Sequence, residues 1–303
     1  SHSLFSLSHV KKSIRNMIEE KIDKFLIAPD DAINLGDIYS LKLNDIIYIY
    51  WGDEIVGQLK KGSKIYLPNA EAINSEFISS EKKLLISAKL QNWIDNQISN
   101  LLKPIKDKLD ENLDSNVRAI AFNCFENLGT LKIDDYKDFI TKINDENKKD
   151  LSKIGIRIGA KYFFMPNLMK KKPLELNSIL WTVYNNPDVE NFIPLPKDGR
   201  VSFICNYKMP KSYWHSIGYI HVNQFAFRID IFEKIFYLAR KKIKYGPFLE
   251  SSELMNPIGC NSDQLNDILS LCGYETINLV NEKKLYFFKQ KTKITKNKKV
   301  KNN

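Results

Sequence analysis

The sequence predicts an α+β fold: a small antiparallel β-hairpin unit, a helical segment, and then a mixed α/β region with a winged-helix-like end. Three observations lead to this expectation. Apolar residues recur at helical spacing in several stretches, short β-rich runs flank turn signals, and three helical patterns precede a final hairpin pattern. Hydrophobic residues make up 43% of the 303 residues, which is enough to form a core.

The first half of the chain carries the β-unit and the helical segment. Strands are expected at Ile46–Trp51 and Glu54–Leu59, because Gly52-Asp53 between them is a hairpin signal. The stretch Lys60–Ser63 predicts a second turn, and the charged stretch 145–153 is interpreted as a helix end or a linker. Amphipathic helices are expected over 8–26, 81–104 and 113–127, and after Asp134.

The last third mixes strands, a proline-rich loop and helices. Strands are expected at 154–158, at 161–165, at 201–206 and on both sides of Asn223-Gln224, with a helix at 174–184 and loop over most of 185–217. The final elements are predicted as helices at 230–243, 249–255 and 261–272 and strands at 274–280 and 284–289. This is the element order of a winged helix.

The third helix of that unit would enter the groove in a DNA-binding protein. Its outward residues include Asp263, Gln264 and Asp267 but no lysine or arginine, which is a poor surface against phosphates. The sequence therefore favours a structural or protein-binding unit over a sequence-specific reader. The predicted domains are a connector (1–35), the β-unit (36–67), a helical region (68–150), the mixed region (151–290) and a basic disordered tail (291–303).

The formal net charge is +10, but it is unevenly placed. Residues 289–303 hold seven lysines and no acidic residue, and the rest of the chain carries a net charge of only +3. Such a tail attracts phosphates at low salt, and it also suits a solvated, disordered terminus. Both interpretations stay open at this point.

The cysteines and the hydropathy pattern indicate a cytoplasmic protein. The four cysteines form no CxxC pair, which favours reduced thiols, and His215 and His221 have no acidic neighbour at metal-ligand spacing. No run of about 18 uncharged apolar residues predicts a membrane span, and the first residues lack the charged segment followed by an apolar segment that would predict a secretory signal. The first residue is not methionine, and both a piece of a longer protein and a separate protein stay open as interpretations.

No motif in the chain predicts catalysis. The stretch Gly57–Lys64, "GQLKKGSK", resembles a phosphate loop, but its residue order is wrong and a strand follows it instead of a helix. An acidic DExD or DExH pair, a GxSxG elbow and an HExxH run are absent. We therefore assign no catalytic, cofactor-binding or metal-binding residue, and whether the chain is an enzyme is left open.

Three blocks of sequence resemble one protein family. "IGIRIGAKYFFMPNLMKKKPLELNSILW" (154–181), "GYIHVNQFAFRIDIFEKI" (218–235) and "IGCNSDQLNDILSLCGYE" (258–275) are similar to the region that follows the motor in alphaproteobacterial superfamily 2 RNA helicases. These helicases are similar to the mitochondrial degradosome helicase. The matched positions in the first block include Gly155, Arg157, Gly159, Pro166 and Trp181.

The resemblance implies an accessory role for this chain. The family's ATPase motifs have no counterpart in it, so ATP and magnesium are expected only for motor domains N-terminal to it, and no cofactor is expected here. The implied partners are single-stranded RNA and those motor domains, with no membrane. The contact residues expected from this reading are Arg157, Lys170, Lys171 and Lys172, and in the tail Lys291, Lys293, Lys296, Lys298 and Lys299.

Two other functions compete with this one. The chain could be a free-standing nucleic-acid-binding protein built on the winged-helix-like end. It could also be a protein–protein scaffold, in which aromatic residues of the 185–217 loop anchor a partner. Those aromatic residues, expected to be exposed, are Phe192, Tyr207, Tyr213 and Trp214.

Overall fold

A computed structural model describes residues 2–38, 46–109, 112–187 and 193–288 of the chain, with side chains from residue 7 onward. It has the predicted α+β class, with helices and antiparallel strands in several small sheets. The chain forms two compact units, residues 1–230 and residues 231–303. Within the described residues, no helix is both long and apolar enough to cross a membrane.

The elements of the first unit follow one another as short strands and longer helices. Its helices are α1 (His2–Ile27), α2 (Ser80–Leu109), α3 (Ser115–Glu126), α4 (Lys137–Ile140), α5 (Asp145–Ile154), α6 (Lys171–Asn185) and α7 (Lys211–Ser216). Its strands are β1 (Ile33–Leu35), β2 (Ile47–Trp51), β3 (Glu54–Lys64), β4 (Leu67–Ala72), β5 (Thr130–Lys132), β6 (Arg157–Ile158), β7 (Tyr162–Phe164), β8 (Ser202–Ile204), β9 (Tyr219–Val222) and β10 (Phe225–Arg228).

The β-unit is a four-stranded sheet in the order β1-β2-β3-β4. The predicted turn at Gly52-Asp53 is confirmed, since Trp51 pairs with Glu54 across it. The turn predicted at Lys60–Ser63 is wrong. Strand β3 continues to Lys64 and pairs with β4, with a register shift between Lys60 and Lys64. Gly62 serves close packing there, because a Cβ at this position would lie 1.7 Å from the Leu67 carbonyl oxygen.

Helix α2 holds the β-unit in place. The Gln91 side chain accepts a hydrogen bond from the Ala70 backbone N–H at 2.9 Å, and Ser87 Oγ accepts one from the Ala72 N–H at 2.8 Å. Its predicted apolar stripe is buried at most positions, including Leu90 and Ile94, but Leu101 is only half-buried and Leu102 is buried instead. The helix runs five residues beyond Pro104, although the sequence predicted its end there.

The stretch interpreted as a helix end or linker is helix α5. A reciprocal capping box between Asn144 and Asn147 starts this helix, and Gly155, with φ of 91°, ends it. The prediction was wrong because an asparagine replaces the glutamate or glutamine that usually marks the third position of such a box.

Two three-stranded sheets complete the first unit, in the orders β5-β7-β6 and β8-β10-β9. Asn223 and Gln224, with φ of 44° and 67°, form the two-residue turn that joins β9 to β10. The predicted loop 185–217 contains helix α7, so Tyr213 and Trp214 are buried rather than exposed. Tyr207 is exposed as expected, and Phe192 lies outside the described residues.

The second unit contains the predicted series of helices followed by a hairpin. Its elements are α8 (Ile229–Ile243), which begins in the first unit, β11 (Phe248–Leu249), α9 (Ser252–Met255), α10 (Ser262–Leu271), β12 (Glu275–Asn278) and β13 (Lys284–Phe287). The short strand β11 was not predicted, and it extends the hairpin into a sheet of order β11-β13-β12. The buried apolar side chains of this unit include Phe232, Ile235, Leu265, Ile268 and Tyr286.

Candidate nucleic-acid interface

Three of the predicted contact residues lie together at the start of helix α6. Lys170 immediately precedes the helix, and Lys171 and Lys172 are its first two residues. All three side chains are exposed. No side chain caps this helix end, no acidic residue lies in the first turn, and the next residue, Pro173, has no N–H to satisfy.

The electrostatics of this position favour an anion. The N-terminal end of a helix carries a partial positive charge, which usually attracts acidic side chains. Here three lysines add to that charge instead of offsetting it. Like charge at a helix end lowers the stability of the helix, so the three lysines do not serve helix stability. A phosphate or carboxylate bound at this place would offset their repulsion.

The buried side of α6 fixes the position of the lysines. Leu180 and Trp181 are almost completely buried in the core of the first unit. Asn177 Nδ2 donates to the Leu128 carbonyl at 3.1 Å, and Ser178 Oγ lies 3.0 Å from the Tyr213 hydroxyl. A helix held by packing and by buried hydrogen bonds presents its first turn in a fixed direction, which limits the entropy lost on binding.

A groove of about 900 Å³ lies beside the start of α6. Lys171 and Lys172 line one part of it. The other walls are the segment around β1, the middle of α2 and residues 195–198, which follow α6 in the sequence. Apolar side chains line the groove together with three amide side chains: Trp93, Leu101, Leu176, Ile179, Leu195 and Pro196, with Asn34, Gln97 and Asn100.

The groove itself is not strongly positive. Lys171, Lys172 and Lys197 line it, and three carboxylates do so as well: Asp37, Glu175 and Asp198. Positive charge is therefore concentrated at the start of α6 and is balanced further along the groove. This distribution suits a polymer with a charged backbone and flat, hydrogen-bonding side groups better than it suits a small polyanion.

The remaining predicted contacts do not join this cluster in the described structure. Arg157 is exposed on strand β6 and does not line the groove. Lys291, Lys293, Lys296, Lys298 and Lys299 lie outside the described residues. The sequence missed Lys197 and the three amides, because only the fold brings segments around residues 34, 97 and 197 next to α6.

His215 and Cys260 have pKa values that burial shifts, and neither residue belongs to the lysine cluster or lines the groove. No group of three or more histidine, cysteine, aspartate or glutamate side chains among them is placed to hold a metal ion. His215 Nε2 lies 3.3 Å from the Tyr162 hydroxyl, and burial, with lesser effects of Lys132 and Lys211, lowers the pKa of His215 to about 4. Burial raises the pKa of Cys260 to about 12, so its thiol is protonated at neutral pH.

Comparison with protein-family models, curated proteins and solved structures finds no match to this chain. The interpretation of the lysine cluster and the groove therefore depends on their own chemistry.

Proposed function

We propose that this chain is a non-catalytic accessory region of a cytoplasmic, ATP-dependent RNA helicase, and that it guides single-stranded RNA. The observation that carries the proposal is the cluster Lys170–Lys172 on the uncapped start of α6, beside a groove with amide and apolar walls. The three blocks that resemble post-motor regions of RNA helicases support the same function. ATP and magnesium would be bound by the motor domains.

Lysine in this cluster favours contact with the RNA backbone over recognition of bases. Its ammonium group is a point charge that binds phosphate without the fixed fork of arginine. Only six of the 46 basic residues are arginines. We therefore expect binding that tolerates sequence changes and falls steeply with salt.

The test is binding of the full chain to a fluorescent single-stranded RNA, measured by anisotropy at several salt concentrations. Replacement of Lys170, Lys171 and Lys172 by glutamine should weaken binding and flatten the plot of log K against log salt. Each lost phosphate contact should change the slope by about 0.7, so three contacts correspond to about 2.

The matched control replaces three exposed lysines of helix α5, Lys148, Lys149 and Lys153, by glutamine. Two of them already pair with aspartates of the same helix, so this variant removes equal charge from another surface. This control variant should keep the wild-type slope of log K against log salt. Equal losses in both variants would indicate a general charge effect and would contradict the proposed site.

A free-standing winged-helix protein is the second candidate function. The element order of the second unit, with helix α10 followed by the β12–β13 hairpin, favours it. The composition of α10 argues against a reading helix, because the helix carries Asp263 and Asp267 and no cation. Lys284 forms an ion pair with Asp263, which further reduces the positive charge of this side.

A further inference from the structure

The second unit has a basic surface that lies away from α10 in sequence. It extends along α8 from Lys234 to the end of the helix and into the turn that follows. Four exposed cations and two exposed tyrosines share it: Lys234, Arg240, Lys241 and Lys244, with Tyr237 and Tyr245. We call these six residues the α8 surface.

Helical spacing places the four helical members of the α8 surface on one side of the helix, and Lys244 and Tyr245 lie in the turn directly after it. Lys234, Tyr237 and Lys241 are three and four residues apart, and Arg240 is three residues beyond Tyr237. The distance along the axis from Lys234 to Lys241 is about 10 Å at 1.5 Å per residue. The opposite side is buried through Phe232, Ile235 and Ala239, so the surface is carried by a packed helix.

The cations of the α8 surface are available for a ligand. Lys242 is engaged with Glu253 at 2.7 Å, but within the described part of the chain no ion pair involves Lys234, Arg240, Lys241 or Lys244. Lys241 Nζ lies 4.9 Å from the centre of the Tyr237 ring, and Arg240 Cζ lies 5.9 Å from the Phe236 ring. These contacts keep the positive groups beside aromatic faces.

The tyrosines are the feature that stability alone does not explain. Basic residues in the last turn of α8 stabilise the helix through its dipole. That effect gives no reason for two large aromatic residues that are 57% exposed (Tyr237) and 94% exposed (Tyr245). The backbone at Tyr245 is held in a turn, because the Tyr245 N–H donates to the Lys242 carbonyl at 3.0 Å and the Gly246 N–H donates to the Ile243 carbonyl at 3.1 Å.

We propose that the α8 surface binds single-stranded RNA, with its cations on phosphates and with Tyr237 and Tyr245 stacked on bases. Exposed aromatic rings among cations are the general means of binding a single strand without reading its sequence, because every base has a face on which to stack. An acidic peptide would satisfy the cations but would leave both rings without a partner. The choice of RNA as the polyanion rests on the proposed function.

The experiment uses the full chain and two ligands of equal length: a fluorescent single-stranded RNA and the same ribose-phosphate strand without bases. The variant Tyr237→Ala/Tyr245→Ala should bind RNA at least about fivefold more weakly, since the loss of one stacked base already weakens binding by about that factor. Its affinity for the strand without bases should be unchanged. The variant Arg240→Gln/Lys241→Gln/Lys244→Gln should weaken binding of both ligands and flatten the salt dependence.

Controls separate stacking from folding. Tyr237→Phe/Tyr245→Phe keeps both rings and should bind RNA as the wild type does. Tyr207→Ala removes an exposed tyrosine from the first unit and should have no effect. If Tyr237→Ala/Tyr245→Ala binds RNA normally, or if it loses affinity equally for both ligands, the proposal is wrong.

The outcomes also separate this proposal from the proposed function. If the glutamine variant of Lys170, Lys171 and Lys172 weakens RNA binding while the α8 variants do not, the α8 proposal fails and the proposed function stands. The reverse result supports the α8 surface and removes the lysine cluster from the RNA contact. If the wild-type chain binds no RNA in low salt, both proposals fail. Preference for an acidic peptide over RNA would assign the surface to a protein partner.

Discussion

The start of α6 and the end of α8 are two exposed basic clusters with opposite relations to their helices. At the start of α6, Lys170–Lys172 add to the positive end of the helix dipole and have no aromatic residue among them. At the end of α8, Arg240 and Lys241 lie at the negative end of the dipole and adjoin exposed tyrosines. Charge alone therefore does not identify a binding surface.

Each cluster has a different feature that helix stability does not explain. For α6 the unusual feature is the charge, because lysines at a helix start oppose helix stability. For α8 the unusual feature is the pair of exposed rings, because its charges are where a stable helix would have them. Variants that change stability and binding separately can test this distinction.

The largest expected effect is a loss of stability when a buried side chain that anchors helix α6 is removed. Trp181 is 3% exposed, its indole N–H donates to Ser212 Oγ at 3.3 Å, and its ring packs edge-on against Tyr213 at 5.1 Å. Trp181→Ala should lower the free energy of unfolding by about 3–5 kcal/mol. Urea unfolding followed by tryptophan fluorescence measures this in the first unit, because Trp51, Trp93, Trp181 and Trp214 all lie there.

The control for that experiment is Leu84→Ala, which shortens a side chain that is 72% exposed on α2. It should change the free energy of unfolding by less than about 0.5 kcal/mol. A loss below about 1 kcal/mol in Trp181→Ala would show that Trp181 does not hold α6 in place. The claim that buried packing fixes the position of Lys170–Lys172 would then be wrong.

Acid should affect the two units differently. The pKa of His215 falls to about 4 in the folded chain because the ring is buried, and to a lesser extent because Lys132 and Lys211 repel a proton, whereas the unfolded value is about 6.5. Between these values the unfolded state binds the additional proton, so stability declines as the pH falls from about 6.5 towards 4. The decline is on the order of 3 kcal/mol.

All four histidines of the chain lie in the first unit. The pH-dependent loss should therefore appear in tryptophan fluorescence, and it should be smaller in His215→Gln than in the wild type. The α8 amides of the second unit should keep their hydrogen-exchange protection over the same range, apart from the effects of carboxylates. An identical pH profile in His215→Gln and in the wild type would assign the acid sensitivity to other groups.

Local sequence patterns were sufficient to predict many elements of this fold. Most of the stripe of α2, the hairpin at Gly52-Asp53 and the turn at Asn223-Gln224 depend on residues close in sequence, and all are confirmed. The turn predicted at Lys60–Ser63 failed because pairing with β4 overrides the preference of a Lys-Lys-Gly-Ser stretch for a turn. Tyr213 and Trp214 were misplaced because prolines suggested a loop where α7 packs into the core.

The candidate site could be predicted only in part, because some of its residues are adjacent in sequence and others are brought together only by the fold. Lys170, Lys171 and Lys172 are adjacent in sequence, and their exposure follows from a position before an amphipathic helix. The groove beside them combines segments that are more than 60 residues apart, such as the region of Gln97 and that of Lys171. The α8 surface was not predicted from the sequence, although helical spacing alone places Tyr237 on the side away from the inward residues Ile235 and Ala239, and the structure shows it exposed.

The smallest expected effect tests the opposite signs of the two helix ends directly. At low ionic strength, Lys171→Gln/Lys172→Gln should stabilise the first unit by about 0.3–1 kcal/mol, because it removes like charge from the positive end of α6. Arg240→Gln/Lys241→Gln should destabilise α8 by a similar amount, because it removes opposite charge from the negative end. Tryptophan fluorescence during urea unfolding reports the first change, and hydrogen exchange of α8 amides reports the second. Both differences should shrink in about 1 M salt, where the Debye length is about 3 Å. Shifts of the same sign in the two variants would mean that the position of the charge on the helix does not govern stability, and the lysines of α6 would then give no stability-based reason to expect a ligand.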